Sequence, residues 1–312
     1  MKITCNNSLV LLLCALSSLS VSCGEVPTEV EFKPAFKEKA WERFNFRSEI
    51  FTIYEPSGVI DDYYLGGNTT FVEEVDKYEK SSPEATMNIY VEKSEEITHS
   101  KSGKNLSRPG SMDGKKHNYV KTYLGERKNF NALSSLPTNQ NFSFLQPIFP
   151  AMIYKYGVEF TEKKILYFGR GTPVAFNITY KVAAISIPYD DCITFDVNVS
   201  SDTVSQGQGE SKPAEEVKSQ EESTVVSPSI RGADGMIAED NEVISTDTGP
   251  ADIPLTVKGN GTYYYFYKKN MPFSHTLNMT LEGSPGHFGL SVPKGVERTT
   301  IKISMSLVWN KS

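Results

Sequence analysis

The sequence predicts an all-β protein: an antiparallel, β-sandwich-like fold with one short N-terminal helix and one long disordered acidic segment. Three observations predict it. Apolar and polar residues alternate strictly through much of the middle and end of the chain. N-glycosylation sequons fall on the polar phase of those alternating segments. The 312 residues are 38% hydrophobic and 22% charged, an ordinary globular balance, yet one internal stretch departs from it.

Residues 1–23 read as a signal peptide. Lys2 is the only charge, Leu9 to Leu19 is apolar, and Ser20, Val21, Ser22 and Cys23 close the segment. An apolar run of about 11 residues is too short to span a bilayer. The alternative is a lipid anchor at Cys23 on a bacterial surface. Ser20 stands there where such a motif prefers an aliphatic residue.

The β-rich region is expected over 24–200. Its first block, about 31–92, opens with PAFKEKAWERF, where Phe36, Ala40 and Phe44 recur at helical spacing and predict the short helix. The rest of the block is rich in Val, Ile, Thr, Tyr and Phe, as strands are. Residues 93–117 have no aromatic and are rich in Ser, Gly and Lys, so a mobile basic loop is expected.

The middle block, 118–200, contains two clear strands. Val174, Phe176, Ile178, Tyr180 and Val182 form one face, opposite Asn177, Thr179 and Lys181. Ile193, Phe195, Val197 and Val199 oppose Cys192, Thr194, Asp196 and Asn198. Residues 201–252 carry 12 acidic and 3 basic residues and no aromatic. Too little apolar area is available to offset chain entropy, so this segment is expected to be disordered, as a linker or as a loop.

The last block, 253–312, reads as a meander completing the same sandwich. Strands are expected over 275–281, over 287–292 after a GSPG turn, and over 299–310. KGNGTYYYFYKK, residues 258–269, adds a fourth. Its phase turns Asn260, Thr262, Tyr264 and Phe266 outward and Tyr263, Tyr265 and Tyr267 inward. A register break near Gly261 would reverse that.

Eight of the 16 Asn residues beyond the signal lie in sequons: Asn68, Asn105, Asn141, Asn177, Asn198, Asn260, Asn278 and Asn310. Ser and Thr are frequent enough to give about 3 by chance. The excess points to the eukaryotic secretory route. A glycan cannot sit in a core, so Asn177, Asn198, Asn278 and Asn310 also mark the wet face of their strands.

Catalytic signatures are missing: the chain has no G-x-S-x-G, H-E-x-x-H, C-x-x-C or Walker loop, and no cofactor motif. Of four His, His99 and His117 fall in the expected loop, His275 on an apolar phase and His287 beside a turn. Asp61-Asp62 and Asp190-Asp191 are the candidate acids of a hydrolase of glycans or lipids, provided that one cleft unites them. Neither pair makes a metal site by itself. Cys192, on the polar phase, is expected to be accessible and able to form a disulfide with Cys23 or another chain.

From Lys101 to Lys128, eight basic residues face two acidic ones, a net of +6. Lys115 and Lys116 are the candidate contacts to an anionic glycan or membrane surface. Tyr264 and Phe266 are the candidate aromatic contacts. Nucleic acid is not an expected partner of an acidic extracellular chain, and no stretch after the signal is long and apolar enough to be a transmembrane helix. The expected function is that of a secreted, N-glycosylated, non-enzymatic protein binding an extracellular protein or glycan. The alternatives are a secreted hydrolase and a structural coat or matrix glycoprotein.

Overall fold

The computed structural model describes residues 27–100, 106–110, 113–128, 144–168, 173–201 and 253–310. The signal segment, Cys23, Asn105, Asn141 and nearly all of the acidic segment lie outside them. The described residues are almost wholly antiparallel strands, and none of their helices is long and apolar enough to cross a membrane.

In chain order the strands are β1 (Glu29–Glu31), β2 (Trp41–Glu55), β3 (Tyr63–Lys77), β4 (Glu84–Ser100), β5 (Leu106–Pro109), β6 (Lys116–Thr122), β7 (Arg127–Lys128), β8 (Ile153–Lys155), β9 (Glu159–Leu166), β10 (Val174–Ile185), β11 (Cys192–Ser201), β12 (Thr256–Phe266), β13 (Met271–Gly283) and β14 (Arg298–Asn310). Twelve form one continuous sheet, ordered β7-β6-β4-β3-β2-β14-β13-β12-β11-β10-β9, with β5 beside β4; β1 and β8 pair separately. The path contains one long closure. β14 returns to β2 and joins the first block to the last through 13 residue pairs, from Arg298↔Glu55 to Asn310↔Arg43.

The sheet curls on itself. Its β6–β7 edge meets β12 and β13, where Lys121 and Arg127 share a cleft with Tyr263 and Tyr265. The segment 144–149 is wedged into the space between. The Phe149 ring lies 4.7 Å from Tyr265, 4.8 Å from Phe32 and 5.8 Å from Phe195. The Phe149 amide donates to Leu124 O at 2.8 Å, His275 Nδ1 bonds Leu145 O at 2.8 Å, and the Tyr180 hydroxyl donates to Phe144 O. Bonds to both layers thus hold the wedge, and one apolar cluster runs through all the long strands. Alternation is therefore half-buried throughout, because only one face of each strand meets this interior.

Three sequence expectations are corrected. No helix spans 34–44; the chain is irregular with a turn at 38–39, and β2 starts at Trp41. Lys39 takes the left-handed backbone (φ 60°), which breaks a helix. Phe44 and Phe46 then alternate inward as a strand. The stretch 93–117 is not one loop, since β4 runs through Ser100 and pairs with both β3 and β5. Short polar contacts replace aromatic packing there: Thr69 and Ser94 share a hydroxyl bond, and Asp113 accepts from the Ser94 amide at 3.0 Å. The expected strand 287–292 is a 3₁₀ turn, Pro285–Phe288, ended by left-handed Gly289. Phe288 is buried from that turn, which satisfied the same apolar spacing.

Candidate functional site

One end of the sheet gathers four chain segments. Cys192 pairs with Phe266, Phe266 with Met271, Ser274 with Val308 and Asn310 with Arg43. The turn before β11, the β12–β13 turn, the end of β14 and the start of β2 therefore share one rim. Tyr189 lies 4.8 Å from Phe273, which lies 5.2 Å from Phe266 and 6.0 Å from Trp309. The Lys269 ammonium sits 5.1 Å from the Trp309 ring and 5.6 Å from the Phe266 ring, within cation–π reach. The Trp309 indole donates to Glu42 Oε2 at 2.6 Å, and Lys268 pairs with Asp191 at 2.5 Å. These bonds fix a rim that leaves apolar surface in water: Ile187 is 61% exposed, Trp41 47%, Tyr189 46% and Val308 39%.

The rings of KGNGTYYYFYKK divide by strand phase. Tyr263 and Tyr265 are buried; Tyr264 and Phe266 are half-buried. Pairing is regular through Gly261, and the irregularity falls on β13 opposite Tyr264 and Tyr265, where Phe273 is the extra residue. Phe266 thus belongs to the rim, and Tyr264 reaches it only through Phe273, at 6.5 Å.

Lys115 and Lys116 are exposed, but the basic run around them is not a single patch. Arg108 pairs with Glu96 at 2.8 Å and Lys128 with Glu84 at 2.6 Å, while Lys121 and Arg127 point inward to Glu73. Strand pairing sets these cations against acids of β3 and β4. Four of the eight cations in the run are thus paired with acids distant along the chain.

The aspartate pairs do not converge. Asp61-Asp62 lies in the β2–β3 turn beside Glu55, and Asp190-Asp191 lies before Cys192 at the opposite end of the sheet. Strands of about a dozen residues separate the two ends by roughly 40 Å. Asp62 accepts from the Tyr54 amide at 3.3 Å, and the Asp190 carbonyl accepts from the Ser186 hydroxyl at 2.7 Å, so both pairs brace turns. Among the described residues no three His, Cys, Asp or Glu gather as a metal group.

Cys192 is buried, a correction to its expected accessibility, and burial pushes its thiol up to about 11. It is the first residue of β11, where the strict alternation breaks: Cys192 and Ile193 are both covered. The other histidines are placed by strands. His99 stacks on Tyr64 at 4.1 Å, and His117 belongs to β6. His275 is enclosed, and His287 Nε2 bonds Ile253 O.

Asn68, Asn198, Asn260, Asn278 and Asn310 are exposed, and Asn177 is half-buried. Register adds a feature that spacing alone does not show. Asn198 pairs with Asn260 and Asn260 with Asn278, so three sequon asparagines stand side by side on adjacent strands.

Sequence reasoning missed an interior charge cluster. Glu73 Oε1 accepts from the Tyr119 hydroxyl and from Arg127 Nη2, both at 2.6 Å, and Glu73 Oε2 accepts from Lys121 at 3.2 Å. The two cations hold the Glu73 carboxyl down at about 2 against the opposing pull of burial. The signal was present in phase: Phe71, Glu73 and Val75 share the buried side of β3, and Tyr119 and Lys121 share that of β6.

No protein-family model and no curated protein matches the sequence. Ten chains of solved structures match by fold. One, from a structure titled as lipid–protein interactions in lipovitellin, is similar at a TM-score of 0.47 and 9% identity over 88% of this chain. This chain spans about a quarter of that one's length (25%).

Proposed function

We propose that this chain is a secreted, N-glycosylated, β-sandwich-like protein that binds an extracellular protein or glycan through the aromatic rim at the β10–β11 and β12–β13 turns. The single observation that carries this reading is the rim itself. Ile187, Tyr189 and Val308 leave apolar surface in water at the end of the sheet that holds Phe266, Phe273 and Trp309. Contiguous exposed apolar surface with a polar border marks interaction sites, and aromatic residues with adjacent cations are favoured there. Lys268 and Lys269 provide such a border, Lys269 held over two rings. Secretion and glycosylation are supported by the N-terminal segment and the sequon excess, and the curled two-layer packing supports the sandwich-like description.

The test is capture. Immobilised protein is exposed to the extracellular material of its native source, beside a variant carrying Ile187→Ser, Tyr189→Ser and Val308→Ser. All three side chains are substantially exposed, so the variant should fold with stability changed by about 0.5 kcal/mol or less per site. A partner retained by the native chain and lost by the variant supports the reading. Equal capture by both removes the rim from the function. Enzymatic deglycosylation of the native protein without a change in mass refutes the glycoprotein part separately.

A further inference from the structure

The interior cleft beside Glu73 has an excess of hydrogen-bond donors. Lys121 is 5% exposed, and its ammonium carries three N–H donors. Glu73 Oε2 takes one of them, at 3.2 Å. Arg127 and Tyr119 are committed to Glu73 Oε1. The cleft is lined by Lys121, Arg127, Gln146, Phe149, Tyr263 and Tyr265. The two tyrosines are 2% and 3% exposed, and their hydroxyls, unlike those of Tyr119, Tyr154 and Tyr180, make no hydrogen bond among the described residues. Burial keeps both phenols protonated, as donors. The opening has room for about one or two water-sized bodies.

We propose that this cleft binds a small monovalent anion of halide size, held by the Lys121 ammonium and the Tyr263 and Tyr265 hydroxyls. Burial of a charge is favourable only when it is paired and its hydrogen bonds are met. The spare donors of Lys121, Tyr263 and Tyr265 line the same small space. An anion there accepts from all three groups at once. A water molecule has only two acceptor sites and brings no charge. The room available suits an ion of halide size and not one as large as gluconate.

The experiment measures thermal unfolding of the full chain in sodium chloride and in sodium gluconate at equal ionic strength. Chloride is expected to raise the midpoint by roughly 2–4 °C over gluconate, the shift that a fivefold binding factor produces in a chain of this size. Lys121→Met is expected to abolish the difference. Tyr263→Phe, a milder change, is expected to reduce it and serves if Lys121→Met does not fold. Crystals soaked in bromide give the direct readout, an anomalous peak at contact distance from Lys121 Nζ. Equal midpoints in both salts, or a chloride effect that is undiminished in Lys121→Met or in Tyr263→Phe, or no bromide peak, overturns the proposal.

Discussion

Acidification should destabilise this protein through one enclosed imidazole. His275 is fully buried on β13, its ring 4.5 Å from the Tyr263 ring and 5.9 Å from the Tyr180 ring. Nδ1 bonds Leu145 O at 2.8 Å, and Nε2 has no partner. A second proton on Nε2 would put a charge among aromatic rings. Burial therefore lowers the His275 pKa from 6.5 to about 4, with Lys164 adding to the effect and the bond to Leu145 opposing it. The unfolded chain, titrating near 6.5, binds the proton first. Stability is thus intact above about pH 6.5 and is lost as pH falls toward 4. At pH 5 the unfolded state gains by a factor of about 30, so the loss relative to pH 7.5 is about 2 kcal/mol. Glu73 does not compete in this window, because its contribution is lost only as pH falls from the unfolded value near 4.5 to about 2. Urea unfolding at pH 7.5 and pH 5 measures the difference. In His275→Gln, whose amide can still donate to Leu145 O, the drop should largely vanish. A native midpoint unchanged between the two pH values, or an equal drop in His275→Gln, would refute the reasoning.

Other perturbations follow from the same structure. Glu73→Gln leaves Lys121 and Arg127 buried without their carboxylate and should cost about 3–5 kcal/mol, measured as a lower urea midpoint at pH 7. Phe149→Ala removes the ring that joins both layers and should also cost about 3–5 kcal/mol; a loss below 1 would mean that the wedge collapses to refill the space. A Cβ on Gly261 would drive into the Thr276 carbonyl of β13, so Gly261→Ala should lower stability by about 2 kcal/mol or more, whereas Gly286→Ala, with open space around it, should change little. Glycopeptide mapping of the folded, secreted protein should find no molecule modified at Asn198, Asn260 and Asn278 together. Adjacent strands are about 4.8 Å apart, and three sugar chains do not fit side by side at that spacing.

The strands were legible wherever local phase decided burial. β10, β11, β13 and β14 alternate over long runs, and each places its apolar side inward, as period-2 spacing requires. Failures came where a long-range partner overrode a local cue. Phe36, Ala40 and Phe44 have helical spacing, but β3 and β14 flank the β2 that Phe44 joins, and a ladder on both edges outweighs a weak local preference. The Ser- and Lys-rich stretch lacks any aromatic residue, yet β3 templates β4 through Ser100. At Phe288 the apolar spacing was right and the period wrong, since a short 3₁₀ turn buries the same ring as a strand would.

The site was less legible for a related reason. Counting charges along the chain placed Lys121 and Arg127 in one basic run with Lys115 and Lys116, because charge density in sequence says nothing about which face of a strand a residue occupies. Strand phase does. Tyr119 and Lys121 are two apart on β6, and Tyr119 is an inward residue, so Lys121 must be inward as well. An inward lysine needs a buried acid, and Glu73, in phase with Phe71 and Val75, is the acid on the apolar side of β3. Strand phase thus held the signal that joins two residues 48 positions apart, and the charge count passed over it. The rim had no such local signature. Ile187, Tyr189, Phe266, Phe273 and Trp309 come from four segments, and only the register that closes β14 onto β2 and β13 brings them to one end.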